Sequence, residues 1–150
     1  MLSNIQLSQM AQNNNIQLDD VIYKSDITNI KKKKNMNLIL NLDNGNGGTH
    51  WTCYIKRGDN HIYFDSFGAI YPDIVKQYCN NSTKLCHNAY ICQDLKTETC
   101  GYYCFGLIHY IENNKGNVYD LTNAYINLFE SNTKKNNKIL QDYFNNNVNV

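Results

Sequence analysis

Four polar residues in the middle of the chain carry the side chains that a thiol peptidase needs. In chain order they are His50, Asp65, Gln93 and Cys100. A cysteine attacks a peptide carbonyl as its thiolate, while a histidine takes the thiol proton and later protonates the leaving amine. A carboxylate orients the imidazole, and a side-chain amide can stabilise the oxyanion. Any one of these residues alone is commonly structural, so their combination carries the prediction.

The cysteine lies where a loop is expected to become a helix. After Cys100, the spacing of Cys104, Leu107, Ile108 and Ile111 is typical of an amphipathic helix docked on a core. The free amides and the positive dipole end at the start of a helix favour a thiolate. Cys100 is therefore the predicted nucleophile and is expected to reach solvent. Cys104, one turn later on the same face, is expected to point into the core and be inert.

The histidine and the acid belong to a predicted hairpin. The segments THWTCYIK and HIYFDSF are predicted strands, and RGDN between them is a predicted turn. Cross-strand neighbours lie about 5 Å apart, so His50 can meet Asp65. Gln93, seven residues before Cys100, can donate its amide beside the backbone N–H of that cysteine. Trp51 either shields and stacks on the imidazolium or packs plainly in the core.

Hydrophobic periodicity predicts the elements that must hold these residues. They are a helix at 3–11 capped by Ser3, a buried strand at 36–43 ending in a turn at NGNGG, a helix at 71–78, a strand at 89–93, and helices around 121–128 and 139–144. Strands lie in the middle of the chain and most helices follow them. The expected fold class is therefore α+β, with a central mixed β-sheet and helices packed on it.

Length and composition indicate one domain. A chain of 150 residues can bury a sizeable core without disulfides or a metal. We divide it into an N-terminal segment 1–35, a catalytic core 36–112, C-terminal helices 113–145 and a frayed tail 146–150. A charged fraction of 18% and a net charge of +1 argue against a coiled coil, a disordered tail and wholesale nucleic-acid binding.

The sequence also predicts the working environment. No run approaches the roughly 18 apolar residues of a membrane span, and the first residues lack the basic and apolar regions of a signal peptide. The six cysteines are therefore expected to be reduced thiols in an intracellular protein. We expect a monomer with no membrane contact.

A lysine run and a cysteine–histidine set are weaker signals, for phosphate and for zinc respectively. The run Lys31, Lys32, Lys33 and Lys34 is either a solvated loop or a phosphate-binding patch with a weak DNA contact. The set Cys79, Cys86, His87 and Cys92 lacks the C-x2-C pair of most zinc modules. No metal or cofactor is therefore expected.

The motifs GTHW, YFDSFG and Q-x6-CGYYC together resemble a known family. They are similar to the adenovirus proteinase (adenain) and its relatives in virophages, polinton-type elements and large DNA viruses, over residues 37–112. The order histidine, acid, glutamine, cysteine is shared with the SUMO-specific ubiquitin-like proteases. The resemblance implies His50 as general base, Asp65 as orienting acid, Gln93 as oxyanion donor and Cys100 as nucleophile.

The same resemblance implies a papain-like, adenain-like cysteine-peptidase fold and a protein substrate. Cleavage would follow small residues, at Gly-Gly-like sites of capsid and core precursors, in the virion and the infected-cell cytoplasm. Trp51 and Gly101 would bind substrate or support the site. The peptide and DNA activators of adenain are not carried over. Two alternatives remain, a protease for SUMO or ubiquitin-like modifiers and a non-catalytic virion protein on the same fold.

Overall fold

Five strands form one mixed sheet in the computed structural model, which describes residues 1–43 and 49–150. Their order across the sheet is their order in the chain. The strands are β1 (Asp20–Tyr23), β2 (Asn35–Asn41), β3 (Trp51–Arg57), β4 (Asn60–Phe64) and β5 (Leu85–His87). The three central strands are antiparallel neighbours, whereas β1 and β5 pair with the sheet in parallel.

A tight turn fixes the register of the β3–β4 hairpin. Arg57 pairs with Asn60, which leaves a two-residue turn of Gly58 and Asp59. Gly58 has φ of +60°, a conformation that glycine adopts without strain and that suits two-residue hairpin turns. At the other end of the ladder, Cys53 pairs with Phe64. The residues just before β3 and just after β4 therefore meet at one end of the sheet.

Helices cover both faces of this sheet. They are α1 (Asn4–Asn13), α2 (Asp73–Tyr78), α3 (Cys100–Glu112), α4 (Val118–Ile126) and α5 (Asn136–Asn147), with 3₁₀ turns at Lys24–Asn29 and Thr133–Lys135. Successive strand residues point to opposite faces. Along β2, Ile39 joins the core beneath α3, while Leu38 and Leu40 join the core beneath α2. The molecule therefore has two hydrophobic cores, one on each side of the sheet.

The predicted class, an α+β domain with a mixed sheet and Cys100 at a helix N-terminus, is confirmed. The capped N-terminal helix is also confirmed, because Ser3 and Gln6 form a reciprocal capping box. The turn predicted at 44–48 lies outside the described residues. Within the described part of the chain, no helix is long and apolar enough to cross a membrane.

Three segments differ from the sequence prediction. The strand expected at 89–93 is wrong, because its amides at Cys92 and Gln93 donate to the Ser66 carbonyl of a loop. The polar stretch 12–35 contains β1, which was not predicted. The tail 146–150, expected to fray, is docked as far as Asn149, whose amide donates to the Asn14 side chain.

Candidate active site

His50 and Asp65 lie at the same end of the sheet. His50 directly precedes β3, and Asp65 directly follows the neighbouring antiparallel strand β4. His50 Nε2 lies 2.8 Å from Asp65 Oδ1. The Asp65 side chain is only 3% exposed, so water does not screen the pair from the acid side. The hairpin thus brings together the two residues that the sequence placed on it.

The backbone of Asp65 is clamped by Asn88, a buried residue that sequence reasoning missed. The Asp65 amide donates to Asn88 Oδ1 at 2.9 Å, and Asn88 Nδ2 donates back to the Asp65 carbonyl at 2.6 Å. The Phe67 amide donates to Asp65 Oδ1 at 2.8 Å. The carboxylate therefore has a fixed position and accepts hydrogen bonds from both a backbone amide and an imidazole.

The aromatic partner of His50 is Phe67 and not Trp51. The rings of His50 and Phe67 stack with centroids 4.9 Å apart and an interplanar angle of 23°. Trp51 is 4% exposed and donates its indole N–H to the Leu2 carbonyl at 2.9 Å. Of the two roles predicted for Trp51, the structure therefore shows core packing. Phe67 follows the acid by two residues, a spacing that could have identified it.

Cys100 is the first residue of α3 and lies against the start of β3. The Trp51 amide donates to Cys100 Sγ at 3.4 Å, and the Cys100 side chain is near enough to His50 to raise the pKa of its imidazole. Cys100 is only 2% exposed, so the prediction that it reaches solvent is wrong. Leu2 and Trp51 pack on the first turn of α3 and cover it: a Cβ added at Gly101 would meet Trp51 Cδ1 at 3.1 Å and Leu2 Cβ at 3.3 Å.

The start of α3 has no side-chain cap among the described residues. Thr99 occupies the N-cap position, but its hydroxyl donates to Asn137 Oδ1 at 3.1 Å. No side-chain oxygen therefore caps the amides of Cys100 and Gly101, whereas the amides of Tyr102 and Tyr103 donate to the Thr99 carbonyl at 3.0 and 3.2 Å. A helix start of this kind attracts negative charge. The thiol of Cys100 and any oxyanion formed beside it lie at this positive end.

Cys104 points into the core, as the sequence predicted. It is fully buried, and its Sγ donates to the Trp51 carbonyl at 3.3 Å. Burial, with a hydrogen bond to Cys53, raises the pKa of Cys104 well above its ordinary value. All six cysteines of the chain lie in the described residues, and each is a free thiol.

The surroundings of His50 keep its imidazole protonated. Burial lowers the pKa of His50, but hydrogen bonds with Asp65 and with Cys100, and the charges of these two groups, outweigh burial and raise the pKa to about 9. At neutral pH the ring is therefore an imidazolium. Because Nε2 is bound to Asp65, Nδ1 is the nitrogen left for the thiol.

Gln93 is buried close to the site with both ends of its amide bonded. Its Oε1 accepts from Ser66 Oγ at 2.6 Å, and its Nε2 donates to Thr97 O at 3.0 Å and Thr97 Oγ1 at 3.2 Å. Gln93 thus ties the loop after β4 to the loop before α3. Its role as an oxyanion donor stays a prediction, because both acceptors of its N–H groups here belong to Thr97.

The other candidate residues do not gather around the site. The described residues contain no group of three metal-ligating side chains, so Cys79, Cys86, His87 and Cys92 do not form a zinc site there. In the lysine run, Lys33 forms an ion pair with the Asp19 carboxylate, and Lys32 lies over the Tyr78 ring.

The chain has a distant likeness to solved structures. No protein-family model matches the chain, and no curated protein does. The crystal structure of the selenomethionine form of the ASFV pS273R protease matches with a TM-score of 0.48 and 18% sequence identity. The match covers 80% of this chain and 46% of that protease, so the chain spans less than half of its length. A likeness this distant assigns no role to any residue here.

Proposed function

We propose that this protein is a cysteine endopeptidase with Cys100 as nucleophile, His50 as acid and base, and Asp65 as the residue that orients the imidazole. One observation carries the proposal. His50 Nε2 lies 2.8 Å from Asp65 Oδ1, and Cys100, which begins α3, lies beside His50, because its Sγ accepts from the amide of the adjacent residue Trp51 at 3.4 Å. A nucleophile, a base and an orienting group in this sequence of contacts form the general triad of acyl transfer.

The geometry supports a two-stage reaction. His50 holds the thiol proton on Nδ1, and the Cys100 thiolate attacks the peptide carbonyl to form a C–S bond. The uncapped amides at the start of α3 stabilise the resulting oxyanion. Collapse of the intermediate breaks the C–N bond, and the imidazolium gives its proton to the leaving amine. A water, deprotonated by His50, then hydrolyses the thioester and releases Cys100.

The high pKa of His50 suits the first stage. A nearby cation stabilises a thiolate, and an imidazolium also supplies the proton that the amine needs. Asp65 maintains that charge because its carboxylate is buried and accepts from the Phe67 amide, while Asn88 holds the Asp65 backbone. The proposed reaction uses only side chains, backbone amides and water, and requires no metal or cofactor.

The substrate that we propose is a protein cut after small residues, at Gly-Gly-like sites of virion precursors. The motifs GTHW, YFDSFG and Q-x6-CGYYC support this finer assignment. A polar groove of about 360 Å³ lies at the start of β3 and is large enough for part of a peptide; residues on either side of His50 line it, but His50 itself does not. Its lining includes Asp26, Asn41, Thr49 and Trp51.

The proposal is tested with two substrates and two variants. A fluorogenic peptide ending in Gly-Gly and a folded SUMO-type fusion are incubated with the parent protein, Cys100→Ala and Cys86→Ala. Cys86 is exposed, so its variant controls for the loss of a thiol. We expect peptide turnover by the parent and Cys86→Ala alone. Turnover by Cys100→Ala would overturn the assignment, and faster cleavage of the fusion than of the peptide would favour a modifier protease.

A further inference from the structure

A second cavity lies at the other end of β3, away from Cys100. It has a volume of about 460 Å³ and opens between the β3–β4 turn and the loop that follows α2. Lys56 lines it, five residues along β3 from Trp51. At about 3.3 Å per residue, this puts the cavity roughly 17 Å from the start of the strand. It is therefore separate from the candidate active site.

Three lysines from different parts of the chain converge on this cavity. They are Lys32, Lys56 and Lys84. Lys32 is held over the Tyr78 ring, with Nζ 5.0 Å from the centroid, and Lys56 Nζ donates to the Lys33 carbonyl at 2.8 Å. Among the described residues none of the three forms an ion pair, and Asp59 is the one acidic residue that lines the cavity.

The cavity also contains a buried histidine with a free nitrogen. His61 is 8% exposed, and its Nδ1 lies 2.7 Å from the hydroxyl of Tyr54. Within the described chain its Nε2 has no hydrogen-bond partner, and His61 lines the cavity. Burial lowers the pKa of His61, and Lys56, Lys32 and Lys84 lower it further while Asp59 raises it. The three lysines therefore lie close enough to His61 to affect its charge state.

Three like charges that converge beside a single carboxylate repel one another, and an anion in their midst removes that repulsion. We propose that this cavity binds a compact oligophosphate, either inorganic or the phosphate chain of a nucleotide, through Lys32, Lys56, Lys84 and His61 Nε2. Ser82 and Thr83 at its edge add hydroxyl donors. An extended nucleic-acid backbone is disfavoured because the site is concave and the whole chain carries a net charge of +1.

The test is a calorimetric titration in about 0.15 M salt, where weak surface attraction is screened. Sodium tripolyphosphate, ATP and a twelve-nucleotide oligothymidylate are titrated separately, and histidine NMR signals are followed. We expect one tripolyphosphate per chain and a shift of the His61 imidazole signals but not those of His109. If ATP binds more tightly than tripolyphosphate, the ligand is a nucleotide. If the two bind equally, the cavity recognises the phosphate chain alone.

Lysine variants test whether tripolyphosphate binds in this cavity. Lys32→Gln and Lys84→Gln should each weaken tripolyphosphate binding by about ten-fold, the loss expected for one charge-assisted hydrogen bond. Lys96→Gln, an exposed lysine near the opposite end of the sheet, should leave it within about two-fold. Thermal melting confirms that the variants fold. Absence of saturable binding, equal weakening by Lys96→Gln, or tighter binding of the oligonucleotide would each overturn the proposal.

Discussion

Three side chains surround the imidazole of His50. Asp65 binds Nε2 and supplies negative charge, Cys100 lies near the ring and raises its pKa, and Phe67 stacks on its face. Since its pKa is raised from 6.5 to about 9, the charged ring stabilises the folded state fully below about pH 6.5. That contribution is lost as pH rises through about 9.

Replacing the acid should lower the pKa of the histidine. Asp65→Asn removes the charge but retains the side-chain shape, so the pKa of His50 should fall by about one to three pH units. The measurement is the pH dependence of the His50 imidazole nitrogen shifts by NMR. His109, which bonds Tyr143, is an internal control and should titrate as in the parent. A His50 pKa that is the same in both proteins would contradict this role for Asp65.

Gln93 should affect the rate of the chemical step more than substrate binding. If its amide turns from Thr97 toward a developing oxyanion, Gln93→Ala should reduce kcat by about 10²- to 10³-fold with little change in KM. Peptide hydrolysis measures both constants. Thr97→Val retains the Gln93 amide and is the matched comparison. A loss confined to KM, or none, would show that Gln93 only ties two loops together.

At the scale of elements, the loop after β5 acts as a clamp for the end of β4. Asn88 exchanges two hydrogen bonds with the Asp65 backbone and donates a third to the Tyr90 carbonyl. Asn88→Ala leaves these buried groups unpaired and should reduce the free energy of unfolding by about 1–3 kcal/mol.

Urea denaturation measures that loss. The control is Asn114→Ala, which removes a hydrogen bond from an exposed side chain to the Tyr110 carbonyl and should cost much less. Equal destabilisation by the two variants would contradict the clamp.

Local patterns predicted the helices and the hairpin, because their signals lie within a few residues of each other. The spacing of apolar residues after Cys100 and the turn at Gly58 are examples. The strand at 89–93 was wrong because apolar Tyr90 and Ile91 are in fact 74% and 49% exposed. Strand β1 was missed because its four residues are defined by parallel pairing with β2, a contact between distant segments.

In the candidate site too, contacts within one hairpin were predictable and contacts between distant segments were not. The contact between His50 and Asp65 was predictable, because the two residues flank one hairpin and lie 15 residues apart in the chain. Asn88 was not predictable, because it lies 23 residues from the aspartate that it holds. The burial of Cys100 was missed for a similar reason, as Leu2 comes from a distant part of the chain to pack on the adjacent Gly101.

At the scale of the whole molecule, α3 connects the site to the larger core. Most of the helix is buried, and it contacts β3 on one side and α4 and α5 on the other. At Gly106 the contact is so close that an added Cβ would lie 2.5 Å from the Tyr125 hydroxyl. That hydroxyl donates to the Tyr103 carbonyl at 2.8 Å. The absence of a side chain at Gly106 therefore permits the packing of α4.

Gly106→Ala should destabilise the fold although alanine favours helices. Overpacking costs about 1–3 kcal/mol, which exceeds the roughly 1 kcal/mol gained in helix propensity. Removing the opposing hydroxyl with Tyr125→Phe should restore part of the loss, so the double variant should be more stable than the sum of the single changes. Urea denaturation of the three variants tests this, and strictly additive losses would contradict the close contact.

The most direct test of the account needs no substrate. Iodoacetamide is applied near pH 6, where an ordinary thiol with a pKa of about 8.5 is almost unreactive, and each modified cysteine is identified by mass spectrometry. We expect buried Cys100 to be alkylated faster than exposed Cys86, and His50→Gln to remove this advantage. Faster modification of Cys86, or a Cys100 rate unchanged by His50→Gln, would contradict an imidazolium–thiolate pair at the start of α3.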